Sequence, residues 1–427
     1  MNFLAVPRAR RVEGSIRAPS SKSATNRALV LAALSHKPVL VASPLESDDT
    51  EALARCLRAM GARIEETRDG LSVGGPLAAD ASTETLLDAA DSGTAARFLA
   101  AVAAATPGRF RLDGSARLRE RPMAELLDAL RSAGAQLECG QREGFLPVSI
   151  RGGSLRGGPI VVDASRSSQF LSSLLIAAAA VPGRLTARPS GEVASSPYVD
   201  ATVEALEAFG HRVTREWSSF TVERGSSGPS RYEVPGDHSS AVPLLAAAGA
   251  ATGRVTVLGV SRRSVAADAR ALPVLEAMGI RVEEGQGGLT ASFEGRSLEP
   301  VRIEAGDFPD SVPALAALAA LARGESRFGG IGHLRHKESD RIEALAALLA
   351  AAGGGVRAGA DELIVAGGLE TRPAASLPTA NDHRIAMAAA LLALARGPHL
   401  VESPGCVAKS YPSFFRDLAT LIRTDPS

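Results

Sequence analysis

The sequence predicts an α/β (α+β) fold of two domains, built from six β-α-β-α-β-β repeats, three per domain. Three observations lead to it. A matched block recurs six times, about 72 residues apart. Each block carries two helical patterns that close on a glycine and run into short strands. The last block is incomplete, while the N-terminus carries strand-like sequence beyond the needs of its own block.

The first helix of each block is alanine-rich and opens on a polar segment. The openings are Ser21-Lys22-Ser23, Asp91-Ser92-Gly93, Ser167-Ser168-Gln169, Asp237-His238-Ser239, Asp307-Phe308-Pro309-Asp310 and Asn381-Asp382-His383. Closing glycines Gly108, Gly183, Gly253, Gly324 and Gly397 are spaced by 75, 70, 71 and 73 residues. A second helix follows in each block, with apolar residues three and four apart and a glycine at its end. Leu53–Gly61 leads to Arg63-Ile64-Glu65, and Leu127–Gly134 to Gln136-Leu137-Glu138. Val203–Gly210 leads to Arg212-Val213-Thr214, and Leu275–Gly279 to Arg281-Val282-Glu283. Leu345–Gly353 leads to Val356-Arg357.

After Phe414–Leu418 the sixth block stops without its two trailing strands. Phe3–Val6 and Arg11–Ile16 precede the first helix and read as strands. The N-terminal strands are therefore expected to complete the last block. This gives a discontinuous domain, 1–19 plus 237–427, and an inserted domain, 20–236. The chain then crosses between them near Pro19-Ser20 and near Pro235-Gly236.

Composition narrows the function. Of the 427 residues, 45% are apolar and only 4% aromatic, so the core is aliphatic. The formal net charge is zero, which removes any whole-molecule attraction to nucleic acid or an anionic membrane. Cys56, Cys139 and Cys406 lie far apart with no metal-ligand spacing, which fits a reduced, cytoplasmic setting. The N-terminus lacks an apolar signal stretch, and no run of about 18 apolar residues occurs. There is no Walker-type or dinucleotide-binding glycine motif, no zinc cluster and no Gly-x-Ser-x-Gly elbow. No metal or cofactor is expected.

The cations that remain cluster at helix starts, the positive poles that attract anions. Lys22 and Arg27 flank the start of the first helix, where acidic residues are ordinarily preferred; an external anion would remove the conflict. His333-Leu334-Arg335-His336-Lys337-Glu338-Ser339-Asp340-Arg341 is the densest charged segment. A carboxylate among such cations stays ionised until an anionic ligand or burial raises its pKa, and can then handle a proton. Capping explains Asn381-Asp382 but not His383-Arg384 at a positive pole. Asp310 can be a cap, and Ser167-Ser168-Gln169 offers neutral donors. The residues alone thus describe an enzyme that binds phosphorylated or carboxylated small molecules with acid/base groups.

Taken in order, these segments resemble the 5-enolpyruvylshikimate-3-phosphate synthase family. The resemblance runs nearly end to end, through Lys22–Arg27, Ser47-Asp48-Asp49-Thr50, Gly93–Arg97, Glu120-Arg121-Pro122, Ser167–Leu171, Lys337–Arg341, Asn381–Arg384 and Ala408-Lys409. It implies the enolpyruvyl transferase-like fold, an inside-out α/β barrel in each domain. It implies transfer of the enolpyruvyl group of phosphoenolpyruvate to the 5-hydroxyl of shikimate 3-phosphate, with release of phosphate, by a monomer. By the same resemblance, shikimate 3-phosphate would meet Lys22, Ser23, Arg27, Ser167, Ser168, Gln169, Ser195, Tyr198, Asp310 and Lys337. Phosphoenolpyruvate would meet Lys22, Gly93, Arg121, Gln169, Arg341, Arg384 and Lys409. Glu338 would deliver the proton to carbon, Asp310 would take the hydroxyl proton, and Lys22 would stabilise the tetrahedral intermediate and the departing phosphate. Domain closure would exclude water.

Several positions depart from the family pattern. Ser20 stands where glycine is common, and Asp91-Ser92-Gly93 replaces an asparagine-containing turn. Asp91 would be unfavourable near an anion unless it caps the helix. Phe98, His333, His336 and the segment 261–270 also differ. They leave room for a paralogue of specialised metabolism with another acceptor. UDP-N-acetylglucosamine enolpyruvyl transferase is the nearest other enzyme; Lys22-Ser23 and the cysteine-free segment 114–121 argue against it. A non-enzymatic anion-binding module has no need for both Asp310 and Glu338.

Overall fold

The six alanine-rich segments form helices α1 (Lys22–Ala33), α2 (Gly93–Ala105), α3 (Ser168–Ala177), α4 (His238–Ala251), α5 (Val312–Leu321) and α6 (His383–Arg396). The computed structural model describes residues 2–225, 228–285, 287–295 and 297–423. Capping is local and follows side-chain chemistry. The Ser21 hydroxyl accepts from the Ala24 N–H (3.3 Å), Ser92 from Ala95 (3.3 Å), Ser167 from Gln169 (3.3 Å), and the Asp382 carboxylate from Arg384 (2.9 Å). Asp237 heads α4 but accepts from the hydroxyls of Ser239 (2.8 Å) and Ser240 (2.7 Å) instead. Ser311, not Asp310, stands at the start of α5.

Two positions correct the sequence reading here. Asp310 does not cap, which frees its carboxylate for the ion pairs described below. Asp91 does not cap either; Ser92 does, and exposed Asp91 instead accepts from the Ser115 hydroxyl.

Every residue of α4 and of α5 is buried. Such helices are apolar on all sides, and alanine lets their axes approach closely. In one unit α1, α2 and α3 pack on one another; in the other, α4, α5 and α6 do. The second helices lie outside and are amphipathic. Asp48–Ala59 buries Leu53, Cys56 and Leu57 and exposes Glu51, Arg55 and Arg58. With the alanine-rich helices inside and the second helices and sheets around them, each unit has the α/β architecture that the repeats predict.

The first five blocks share one four-strand pattern, to which the fourth block's sheet adds a fifth strand. In the second block, Glu84–Asp88 runs parallel to Arg109–Asp113, which is flanked in turn by antiparallel Val148–Arg151 and Gln136–Cys139. The third and fifth blocks repeat that order. Blocks one and four take their parallel strand from elsewhere. Arg231–Glu233 lies beside Val39–Ala42 in the first block. Arg11–Arg17 lies beside Gly253–Leu258 in the fourth, with Val12 opposite Gly253.

The expected role of the N-terminal strands is thereby corrected in part. Phe3–Val6 does complete the sixth block, antiparallel to His399–Glu402. Arg11–Arg17 instead belongs to the fourth block, where the tail strand Ile422–Arg423 also pairs with it. Strand partners are chosen by backbone hydrogen bonding between distant segments, which one strand's own sequence does not specify.

The chain divides into a unit of Met1–Pro19 with Gly236–Ser427 and a unit of Ser20–Pro235. Within the second, the Ser21 N–H donates to the Pro235 carbonyl (2.7 Å); within the first, the Asp237 N–H donates to that of Pro19 (2.8 Å). Among the described residues, no helix is long and apolar enough to cross a membrane.

Candidate active site

In the Ser20–Pro235 unit, the starts of α1, α2 and α3 carry the charged and polar residues singled out above. Lys22 is the first residue of α1, and its Nζ lies 3.0 Å from Asp49 Oδ2. Asp49 sits in the first turn of Asp48–Ala59, where the helix dipole also favours a carboxylate. The pair holds the ammonium at a helix N-terminus that would otherwise repel it.

Arg27, one turn on, is buried. It donates to Thr202 Oγ1 (2.8 Å), to the Ser23 carbonyl (3.0 Å) and to the Tyr198 carbonyl (2.9 Å), and contacts the Ser23 hydroxyl. Its guanidinium lies over the Phe98 ring, 5.4 Å from the centroid. These partners are hydroxyls, carbonyls and a ring, with no carboxylate among them. Burial accordingly pushes the Arg27 pKa down to about 10, against the smaller opposing effect of Tyr198. A buried cation balanced by neutral dipoles alone is suited to an incoming anion. Ser195, three residues before Tyr198, is buried with a left-handed φ of 54°. Such backbone strain in a non-glycine residue concentrates at functional sites.

A second cluster forms around the start of α2. Gly93 opens that helix, and a Cβ built on it would lie 2.6 Å from Arg121 Cζ and 2.6 Å from Arg97 Nη1. Two guanidiniums therefore converge where only glycine leaves room. Arg97 Nη1 donates to Gln169 Oε1 (2.9 Å), and Gln169 Nε2 donates to Thr94 Oγ1 (2.9 Å). Ser167 and Ser168 complete the opening turn of α3 beside Gln169.

In the other unit the charged segment resolves into a short 3-10 turn, Gly332–His336, and a helix, Arg341–Ala351. Arg341 is its first residue and only 1% exposed. It meets three carboxylates: Asp310 Oδ1 (2.7 Å), Glu338 Oε2 (2.9 Å) and Asp382 Oδ2 (2.8 Å). Burial alone would lower its pKa; Asp382, Glu338 and Asp310 overcome this and raise it. Arg384, in the first turn of α6, donates to the Ser239 carbonyl (2.7 Å) and contacts the Ser239 hydroxyl. It also reaches Asp310 Oδ2 (3.4 Å) and Asp237 Oδ2 (3.9 Å).

Asp310 is thus held between two guanidiniums. Burial would raise its pKa, but Arg341, Arg384 and Lys337 hold it well below the usual carboxylate range. Asp268 behaves oppositely. Buried beside Asp310, it is pushed up to about 6 by burial and then by Asp310's charge, although Ser311 donates to it at 2.7 Å. His333 is driven down to about 3 by burial and then by Lys337, and so stays neutral. Lys409 ends the turn Pro404–Lys409, is buried, and belongs to a turn that packs on α6.

The structure therefore gathers Ser23, Arg27 and Tyr198 into one group, with Ser195 beside them. It gathers Gly93, Arg121 and Gln169 into a second, and Asp310, Glu338, Arg341 and Arg384 into a third, in the field of Lys337. Lys22 stands with Asp49. Sequence reasoning assigned no role to Asp49 or Arg97 and only a capping one to Asp382, although all three lay inside the quoted motifs. Asp268, Thr202 and Ser311 carried no local signal, since each acts through a partner in another block.

Comparison with known proteins bears on the whole chain. Residues 6–418 match the model of the family described as EPSP synthase (3-phosphoshikimate 1-carboxyvinyltransferase). A 3-phosphoshikimate 1-carboxyvinyltransferase of Thermococcus kodakarensis is 42% identical over 414 residues, covering 96% of this chain and 98% of the relative. One of Nitrosomonas europaea is 37% identical, covering 99% and 100%. Among solved structures, an EPSP synthase from Acinetobacter baumannii superposes with a TM-score of 0.80 at 27% identity, covering 99% of this chain and 98% of that one.

Proposed function

The chain belongs to the EPSP synthase (3-phosphoshikimate 1-carboxyvinyltransferase) family, and from that premise we propose that it transfers the enolpyruvyl group of phosphoenolpyruvate to the 5-hydroxyl of shikimate 3-phosphate. The observation that carries the chemical reading is Asp310 bridged by Arg341 and Arg384, with Glu338 on the same guanidinium.

In this reading Lys22, Ser23, Arg27, Ser167, Ser168, Gln169, Ser195, Tyr198, Asp310 and Lys337 hold shikimate 3-phosphate. Lys22, Gly93, Arg121, Gln169, Arg341, Arg384 and Lys409 receive phosphoenolpyruvate. Glu338 protonates the methylene carbon while the 5-hydroxyl oxygen bonds to the adjacent carbon and loses its proton to Asp310. The tetrahedral intermediate then returns a methyl proton to the Glu338 carboxylate, reforming the double bond as the carbon–oxygen bond to phosphate breaks and phosphate leaves. Lys22 offsets charge on the intermediate and on the departing phosphate.

The low proton affinity of Asp310 fits this sequence. An anion taken up by Arg341 and Arg384 weakens their hold on Asp310, so its affinity for a proton rises as substrate arrives. The same reading has the protein acting as a cytoplasmic monomer on two small-molecule substrates, without nucleic-acid or membrane partners.

The test is phosphate release from phosphoenolpyruvate by the pure, folded protein. Release dependent on shikimate 3-phosphate is expected. Its absence would sink the proposal.

A further inference from the structure

Arg97 lies under three of the groups assigned above to phosphoenolpyruvate. It is 3% exposed, and its Nη1 donates to Gln169 Oε1 (2.9 Å) and to the Gly93 carbonyl (3.2 Å). Its Nη2 donates to the carbonyl of Pro122, which follows Arg121 (3.3 Å). The guanidinium also lies over Phe170, 5.4 Å from the ring centroid. Three elements are thereby joined at one side chain: the first turn of α2, the first turn of α3 through Gln169 and Phe170, and the segment after Arg121.

The consequence falls on Gln169. A guanidinium has donors and no acceptor, so the end of the amide that faces Arg97 must be its oxygen. The nitrogen end then faces Thr94 and donates to its hydroxyl at 2.9 Å. One N–H of the amide is used there and one remains, on a residue only half-buried. A glutamine held at one end only can turn its amide over and present oxygen to an anion; one held at both ends cannot.

We propose that Arg97 is a positioning residue that, with Thr94, locks the Gln169 amide so that it presents an N–H donor to the anionic substrate. This rests on the assignment of Gln169 to phosphoenolpyruvate. Arg97 touches no reacting atom; it acts through Gln169, one repeat away in sequence.

Four variants test it by steady-state kinetics and melting: Thr94→Val, Arg97→Lys, Gln169→Glu and Gln169→Ala, with Arg97→Lys/Gln169→Ala as the double. Thr94→Val is expected to raise KM for phosphoenolpyruvate several-fold with little change in kcat or Tm. Arg97→Lys keeps the charge but loses the fork, and is expected to raise KM ~tenfold, the scale of one charge-assisted hydrogen bond. Gln169→Glu keeps its bond to Arg97 and the fold but turns an acceptor on the substrate, so KM rises by ~tenfold or more. In the Gln169→Ala background, Arg97→Lys adds less than about twofold, because its effect passes through the missing amide. Unchanged KM in both Thr94→Val and Arg97→Lys overturns the inference, as do independent, multiplying effects in the double variant. Should Arg97→Lys fail to fold, the cycle of Thr94→Val with Gln169→Ala decides by the same criterion. An inactive wild type overturns the functional reading itself, and this inference with it.

Discussion

Arg341 donates to Asp310 at 2.7 Å from a guanidinium that is 1% exposed, and two further carboxylates, Glu338 and Asp382, share that guanidinium. One buried cation therefore organises the acid/base groups of its unit. Replacing it with Met removes the positive charge from three carboxylates at once. Arg341→Met is expected to lose about 3–5 kcal/mol of stability, the usual result of breaking a buried pair. Urea denaturation measures this; a loss below about 1 kcal/mol would show that solvent reaches the cluster.

Lys22→Met bears on both structure and chemistry. The ammonium 3.0 Å from Asp49 is lost together with the charge assigned to the intermediate. Binding and turnover are both expected to fall, by about 3 kcal/mol or more in kcat/KM. Near-normal kinetics would remove Lys22 from the mechanism.

Gly93→Ala tests the crowding at the start of α2. Its Cβ would press on Arg121 Cζ and Arg97 Nη1, both at 2.6 Å. Long side chains can give way, so the fold is expected to survive with Tm changed by only a few degrees. The guanidiniums move instead, and kcat/KM for phosphoenolpyruvate drops by about 10–100-fold, as for a misplacement of about 1 Å. Retained kinetics in a folded variant would show that neither guanidinium needs its present place.

His211 gives a pH-dependent stability. Its Nδ1 accepts from the Gly225 N–H (3.1 Å), and burial followed by the charge of Arg224 pushes its pKa from 6.5 down to about 4. The unfolded chain thus binds the proton more tightly. The contribution is full above pH 6.5 and is lost as pH falls toward about 4. His211→Asn keeps an acceptor near Nδ1 without the titration. The stability of wild type relative to this variant is expected to fall by roughly 2 kcal/mol across that window, after discounting for solvent. A constant difference from pH 7 to about pH 4 would refute the assignment.

How much of this was legible in advance depended on the range of the interaction. Ser21, Ser92, Ser167 and Asp382 were readable as helix starts because a cap and the first turn lie within three residues of each other. Asp310 and Asp91 looked like caps on the same grounds and are not, since a partner elsewhere in the fold engages each one. The bonds from Arg97 to Gln169 and from Ser311 to Asp268 were illegible, because each joins residues of different blocks.

The sequence by itself determined the repeat, the aliphatic core helices, their polar openings and the family. Periodicity, capping and motif order are properties of neighbouring residues. Only the tertiary structure decided that Arg231–Glu233 enters the first block's sheet and Arg11–Arg17 the fourth's. It also decided that one guanidinium would serve three carboxylates while Arg27 meets none among the described residues. Strand pairing and buried charge balance are set by what a distant part of the chain brings within a few ångströms, and a linear pattern does not encode that distance.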